Sequence, residues 1–235
     1  MTVESPEKAA SFLTGAPAQA DAPVLLTELM RRRTHDLHIR AERSGVINDV
    51  LRGQATRFGY ALLLRNLLPA YRRLETGLEA GRHSLPVSAV ARRELYRSAA
   101  LRSDLMVLFG ASWESVLPLL PAGEDYERRV GLAAGGDGAG LIAHAYTRYL
   151  GDLSGGQAMK RLLARGLGLQ PEELSFYDFA EIDDAERFKE RYRRAINEGV
   201  ASIVDVDRVA AEAVAAFELN IAVSEAVQQA SKVAV

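Results

Sequence analysis

Apolar residues recur at helical spacing along almost the whole chain. From about residue 24 to 43, Met30, Thr34, His38 and Glu42 step by four, with Leu26, Leu29, Leu37 and Ala41 beside them, which is the repeat of an amphipathic helix. Ser44-Gly45 ends that run, and a short segment over 46–52 is broken at Gly53-Gln54. Thr56 then caps a long helix to about Glu79, with Tyr60, Leu64, Leu67, Tyr71, Leu74 and Leu78 on its buried side. Pro69 lies inside that pattern and is expected to kink it. Further helices are predicted over 87–109, over a short stretch holding Trp113 and closed by Pro118 and Pro121, and over 124–130. A glycine-rich lead over 134–140 opens another long helix that ends around Gly166–Gly168. After a turn at 170–173 and an aromatic-bearing loop over 174–180, Asp183 or Asp184 caps a basic helix through Asn197. A last helix runs from near Ser202 to about Gln229, with Val206, Ala210, Val214, Phe217 and Ile221 as its stripe. No run alternates as a strand would and nothing repeats, so the expected fold is all-α.

Composition narrows this only a little. At 235 residues the chain suits one domain, expected over 24–230, with a mobile leader over 1–23 and a short tail over 231–235. Its 48% hydrophobic and 26% charged residues are ordinary for a globular protein, and a net charge of −2 gives no push towards nucleic acid. There is no cysteine, which excludes disulfides, thiolate metal sites and a cysteine nucleophile. A disulfide-free chain fits the cytoplasm. No apolar run approaches the length of a membrane span. The N-terminus lacks the basic start and apolar core of a signal peptide.

The chemistry concentrates in the stretch from His144 to Gln157, His-Ala-Tyr-Thr-Arg-Tyr-Leu-Gly-Asp-Leu-Ser-Gly-Gly-Gln. Gly151, Gly155 and Gly156 interrupt a helical pattern, and each glycine costs about 1 kcal/mol against alanine inside a helix. Gly151 and Gly155 share a face, where bare backbone would admit either a neighbouring helix or a flat ligand. Asp152 sits within the patch, four residues after Arg148 and with Tyr146 and Tyr149 nearby. A carboxylate suits plain helix packing poorly, because a buried charge needs partners. It suits a site that holds an ordered water against a cofactor.

The histidines are His35, His38, His83 and His144. His83 falls in a polar loop, and His144, on the glycine-bearing helix itself, reads as structural. His38 alone has an acidic residue four positions on, Glu42, able to accept from Nδ1 and leave Nε2 for a metal. By itself this pair reads more readily as an ordinary surface ion pair than as a ligand and its partner.

The fourteen-residue string resembles the distal-helix signature of the haem oxygenases, an aromatic-rich segment followed by Gly-Asp-Leu-Ser-Gly-Gly-Gln. His38-Ile-Arg-Ala-Glu42 resembles that family's proximal motif, and Tyr71 with Glu75, the basic segment Phe188–Arg193 and the segment Ala216–Ile221 follow in the family's order. The resemblance covers about residues 25 to 228. It implies a single-domain helical fold with haem sandwiched between a proximal and a distal helix. It implies haem b as substrate and cofactor, molecular oxygen as co-substrate, and electrons from an external ferredoxin, flavodoxin or NADPH-dependent reductase that docks transiently. The products would be biliverdin, of the α isomer, carbon monoxide and ferrous iron.

Residue by residue, the resemblance makes His38 the iron ligand and Glu42 its orienting partner. It makes Asp152, Gly151, Gly155, Gly156, Arg148 and Tyr71 the distal catalytic group, and Arg31, Tyr146, Lys189, Arg193 and Phe217 the haem-binding set. Arg31, Lys189 and Arg193 would pair with propionates, although a solvated basic face describes the same residues. Arg31 stands where the family has a lysine, His35 where it has a second basic residue, and Pro69 where a straight helix is usual. A monomer without membrane anchor is expected. A haem carrier or sensor on the same scaffold, and a helical protein without haem, are the competing readings.

Overall fold

A computed structural model describes residues 25–233; the expected leader and the last two residues of the expected tail lie outside them. The architecture is nine α-helices among the described residues, with short 3-10 turns between them and no strand. They are α1 (Leu26–Arg43), α2 (Gly45–Leu51), α3 (Arg57–Gly81), α4 (Ser98–Phe109), α5 (Trp113–Val116), α6 (Pro121–Ala133), α7 (Gly140–Leu167), α8 (Ala185–Glu198) and α9 (Val206–Val233). No helix among them is long and apolar enough to cross a membrane.

Helix ends follow local chemistry. Thr56 Oγ1 accepts from Gly59 N at 3.0 Å and opens α3, as the sequence predicts. Asp184, rather than Asp183, caps α8 through Arg187 N. Gly168 closes α7 in the left-handed conformation with φ 65°. α3 runs on across Pro69 without ending. Pro121 does not close the preceding segment but opens α6, where its missing N–H costs nothing.

Other expected boundaries move as well. The helix expected over 87–109 begins only at Ser98; the residues before it form 3-10 turns at Val87–Ala89 and Arg93–Leu95. The cause is distant in sequence, because the Glu75 carboxylate of α3 accepts from Arg97 N at 2.6 Å and Ser98 N at 2.9 Å and fixes the start there. The last helix starts at Val206 instead of Ser202, with Asp205 accepting from Arg208 N. It also continues to Val233, so residues 231–233 are helix rather than tail.

α9 is the hub. It packs on α1, α2, α3, α6 and α7, while α3 carries α4 and α6 on its other sides. The apolar stripe predicted for α3 is buried as expected, with Tyr60, Leu64, Leu67, Tyr71, Leu74 and Leu78 all at 4% exposure or less. On α9 the buried line is Val209, Ala210, Ala213, Ala216 and Val223, and Phe217 lies beside it, half-buried. Gly45 crosses α9 so closely that a Cβ would fall 2.3 Å from the backbone of Ser224, and its φ of 61° also favours glycine. α1 and α7 both lean on α9 but are not closely packed on one another. That gap positions the site.

Candidate functional site

The gap is a cleft of about 500 Å³ that opens to solvent. It is lined from α1 by Arg31, Thr34, His35, His38 and Glu42, from α7 by Tyr146, Thr147, Leu150, Gly151, Ser154 and Gly155, and by Arg193 and Phe217. Such a volume lies within the usual range of ligand pockets.

On the α1 wall, His38 is exposed, with 61% of its side chain accessible. Its Nδ1 lies 3.6 Å from the Glu42 carboxylate, in ion-pair range but longer than a hydrogen bond. No hydrogen-bond partner among the described residues occupies the other nitrogen, Nε2. The Phe217 ring stands 6.0 Å from the imidazole, tilted by 52°, and gives it an apolar neighbour on one side. An imidazole with a carboxylate near one edge and the other edge open can serve as an axial metal ligand.

On the α7 wall, a Cβ added at Gly151 or Gly155 would meet nothing within 4 Å, so both glycines turn bare backbone to open space. The helix-crossing alternative therefore fails at these two positions. Gly156 differs: a Cβ there would lie 3.1 Å from Tyr177 Cδ1, so this glycine answers a packing need. A second, smaller space continues behind the glycine face, lined by Leu63, Leu67, Asp152, Gly156, Phe176 and Tyr177 among others.

Asp152 lies at that junction, 8% exposed. Tyr71 donates its hydroxyl to Asp152 Oδ2. Arg148 donates from Nε to the Tyr71 oxygen at 2.9 Å and from Nη2 to Asp152 Oδ1 at 3.3 Å. It also donates to the Asn220 side-chain oxygen of α9. The Arg148 guanidinium lies 5.1 Å from the centre of the Tyr71 ring, which adds a cation–π contact. Burial raises the pKa of Asp152, against the pull of Arg148 and the Tyr71 hydrogen bond. Burial likewise raises Tyr71 well above the usual phenol value, so its hydroxyl stays a donor. The result is a carboxylate fixed by a phenol and a guanidinium at the rim of a large cleft. It can accept from, and so orient, a water or a ligand proton.

His144 behaves as expected of a structural residue. It is fully buried, and its Nε2 lies 2.9 Å from Glu212 of α9, which Arg129 of α6 grips from outside. The cations are arranged less simply than the sequence implies. Arg193 lines the cleft and has no carboxylate within 4.0 Å among the described residues. Arg31 also lines it but is held by Glu28 through hydrogen bonds of 2.8 and 2.7 Å. Lys189 does not line it. Its ammonium is buried against Glu186 at 2.7 Å and Ser154 Oγ at 3.3 Å, on the shoulder of α7. Tyr146 donates to Thr27 O at 3.4 Å; burial raises its pKa, and Arg193 and Arg31 oppose that rise.

The structure thus brings His38, Glu42, Arg31, Tyr146, Gly151, Gly155, Arg193 and Phe217 to one cleft, with Asp152, Arg148, Gly156 and Tyr71 behind it. Thr34, Thr147, Leu150 and Ser154 were missed as lining residues, as were Asn220, Phe176 and Tyr177. Asn220 had a signal, a polar residue three positions after Phe217 and so on the same side of the helix. Phe176 and Tyr177 had none, because their turn reaches the site only through tertiary packing.

A family model described as Heme oxygenase matches residues 24–226. Among relatives, heme oxygenase 1 of Homo sapiens is 37% identical over 217 residues, covering 91% of this chain and 75% of the human one. Heme oxygenase 1 of Nostoc sp. is 35% identical over 196 residues, covering 83% and 82%. Among solved structures, heme oxygenase-1 of Synechocystis sp. in complex with heme superposes with a TM-score of 0.83 at 32% identity, covering 90% of this chain and 96% of that one. The heme oxygenase of Leptospira interrogans superposes with a TM-score of 0.81 at 32% identity, covering 86% and 99%.

Proposed function

Because the chain belongs to the haem oxygenase family, an enzyme family that degrades haem, we propose that it cleaves haem b to biliverdin, carbon monoxide and ferrous iron. The observation that carries the proposal is the pairing of two unlike walls across one cleft: an imidazole with a free nitrogen on α1, and two glycines facing open space on α7. A carrier needs the imidazole but has no use for the Asp152 triad.

The residues fit a flat macrocycle. His38 would hold its metal, with Glu42 orienting the imidazole through Nδ1. Gly151 and Gly155 would let one face of the ring approach main chain. Haem, once bound, supplies an iron that activates dioxygen against the edge of its own ring. Asp152, kept in place by the Tyr71 hydroxyl and the Arg148 guanidinium, would hold a proton-donating water on that side. The α7 backbone at Gly151 and Gly155 would form the wall beside that face of the ring and so restrict where a small ligand could lie.

Arg193 is the best-placed partner for a propionate, being on the cleft and uncommitted to any carboxylate among the described residues. Arg31 would have to leave Glu28, an exposed contact of little value to release. Lys189 would act from the shoulder near Ser154. These cations would fix the rotation of the ring and hence the carbon attacked, for which the α position is proposed. Electrons would come from a separate ferredoxin, flavodoxin or reductase, with the basic Arg31-Arg32-Arg33 run beside the cleft as its landing place. The working unit is proposed to be a cytoplasmic monomer.

The test is to add haemin to the purified protein, then a reducing system under air. Loss of the Soret band with growth of biliverdin absorption is expected, while Asp152→Ala should bind haemin yet yield little biliverdin. A complex that survives reduction in air would make the protein a carrier. Normal biliverdin output from Asp152→Ala would overturn the distal assignment.

A further inference from the structure

The turn Ser175–Tyr177, between α7 and α8, supplies two aromatic side chains to the space behind the glycine face. It is fastened from the opposite direction by Asp104 of α4, a carboxylate with no exposure at all. Ser175 N donates to Asp104 Oδ1 at 3.0 Å, Phe176 N donates to Oδ2 at 2.9 Å, and the Ser175 hydroxyl donates to Oδ1. No cation among the described residues lies within ion-pair distance of this carboxylate. Burial raises its pKa, and the donors from the turn oppose the rise.

A buried carboxylate without a counter-ion is costly, and a short connection needs no such anchor merely to join two helices. What the turn carries explains the anchor better. Phe176 sets its ring edge-on to Tyr71, with centroids 5.6 Å apart and planes at 86°. Tyr177 abuts Gly156, and its carbonyl accepts from the Gln157 side chain at 2.8 Å. Asp178 pairs with Lys160 one turn further along α7. One side of the turn therefore grips the distal helix, while the other braces the phenol that holds Asp152.

We propose that Asp104 is a positioning residue for the distal site: by fixing the Ser175–Tyr177 turn, it sets where Tyr71 presents its hydroxyl to Asp152 and how closely α7 approaches the cleft. The proposal rests on the haem-degrading reading of that site. Asp104 touches neither the cleft nor Asp152, and it acts only through the turn.

Asp104→Asn preserves shape but replaces one acceptor oxygen with a donor, leaving a Ser175 or Phe176 amide unmatched. In the haem-free variant, amide exchange at Ser175 and Phe176 should quicken by about tenfold, since local opening becomes easier there. Haemin affinity should stay within about twofold of the parent, because His38, Arg193 and Phe217 lie on other elements. Biliverdin formed per haem should fall by about tenfold, as expected for a small misplacement of a reacting group. Should Asp104→Asn fail to fold, Ser175→Ala, which deletes only the hydroxyl donor, should show the same changes in weaker form. Biliverdin yield at the parental level despite faster exchange, or unchanged exchange in a folded variant, would overturn the assignment. If the parent itself made no biliverdin, the haem-degrading reading would fall, while the exchange rates would still report on the clamp.

Discussion

At Gly155 the helix gives up about 1 kcal/mol of propensity relative to alanine, and the folded chain gains nothing from it: a Cβ there meets no atom within 4 Å. Gly156 and Gly45 are different, since their added Cβ atoms would press on Tyr177 and on the Ser224 backbone. Gly155→Ala should therefore raise the haem-free Tm by about 2–4 °C while lowering biliverdin formation, because the new methyl occupies the cleft. Scanning calorimetry beside the turnover assay checks this, and a lower Tm or unchanged turnover would contradict it. The glycine patch and Asp152 were legible in the sequence because their cost is local. Which glycine serves packing was not, since only the placement of Tyr177 decides it. Lys189 shows the same limit: its place on α8 was legible, whereas the pairing of its ammonium with Glu186, and with Ser154 at the cleft edge, was not.

At the scale of elements, most helices could be read from periodicity and caps, and the largest miss has a tertiary cause. Val87, Val90 and Leu95 are all buried at spacings that imitate a helix, but the true start of α4 is set by Glu75, 22 and 23 residues before the two amides it holds. No local signal carries that information. Glu212 plays a comparable part between α9, α6 and α7, joined to Arg129 and His144. Burial would raise its pKa, but the hydrogen bonds from His144 and Arg129 prevail and hold it at about 2. A carboxyl depressed below its unfolded value of about 4.3 adds stability above that value and loses it as pH falls towards the folded one. Glu212→Gln should thus lower Tm near neutrality, with the gap to the parent narrowing between about pH 4 and pH 2. A pH series of thermal melts measures this, and a gap that stayed constant with pH would contradict it.

For the whole molecule, the organising fact is that α1 and α7 are both supported by α9 and not by each other. The cleft is what that arrangement leaves, and each wall carries one half of the chemistry: His38 on the first, Gly151, Gly155 and Asp152 on the second. The all-α class and the order of the blocks were readable from the sequence. The cleft was not, because it is a property of how three helices pack, and neither half of the site signals the other along the chain. Haem cleavage in this cleft requires that His38 hold the iron. Electron paramagnetic resonance of the ferrous–nitrosyl haem complex reads that ligand directly, through nitrogen hyperfine splitting from an axial imidazole. The parent should show it at one haem per chain and His38→Ala should lose it, with added imidazole restoring it. A parent complex without the imidazole signature, or a His38→Ala spectrum identical to the parent, would contradict the account.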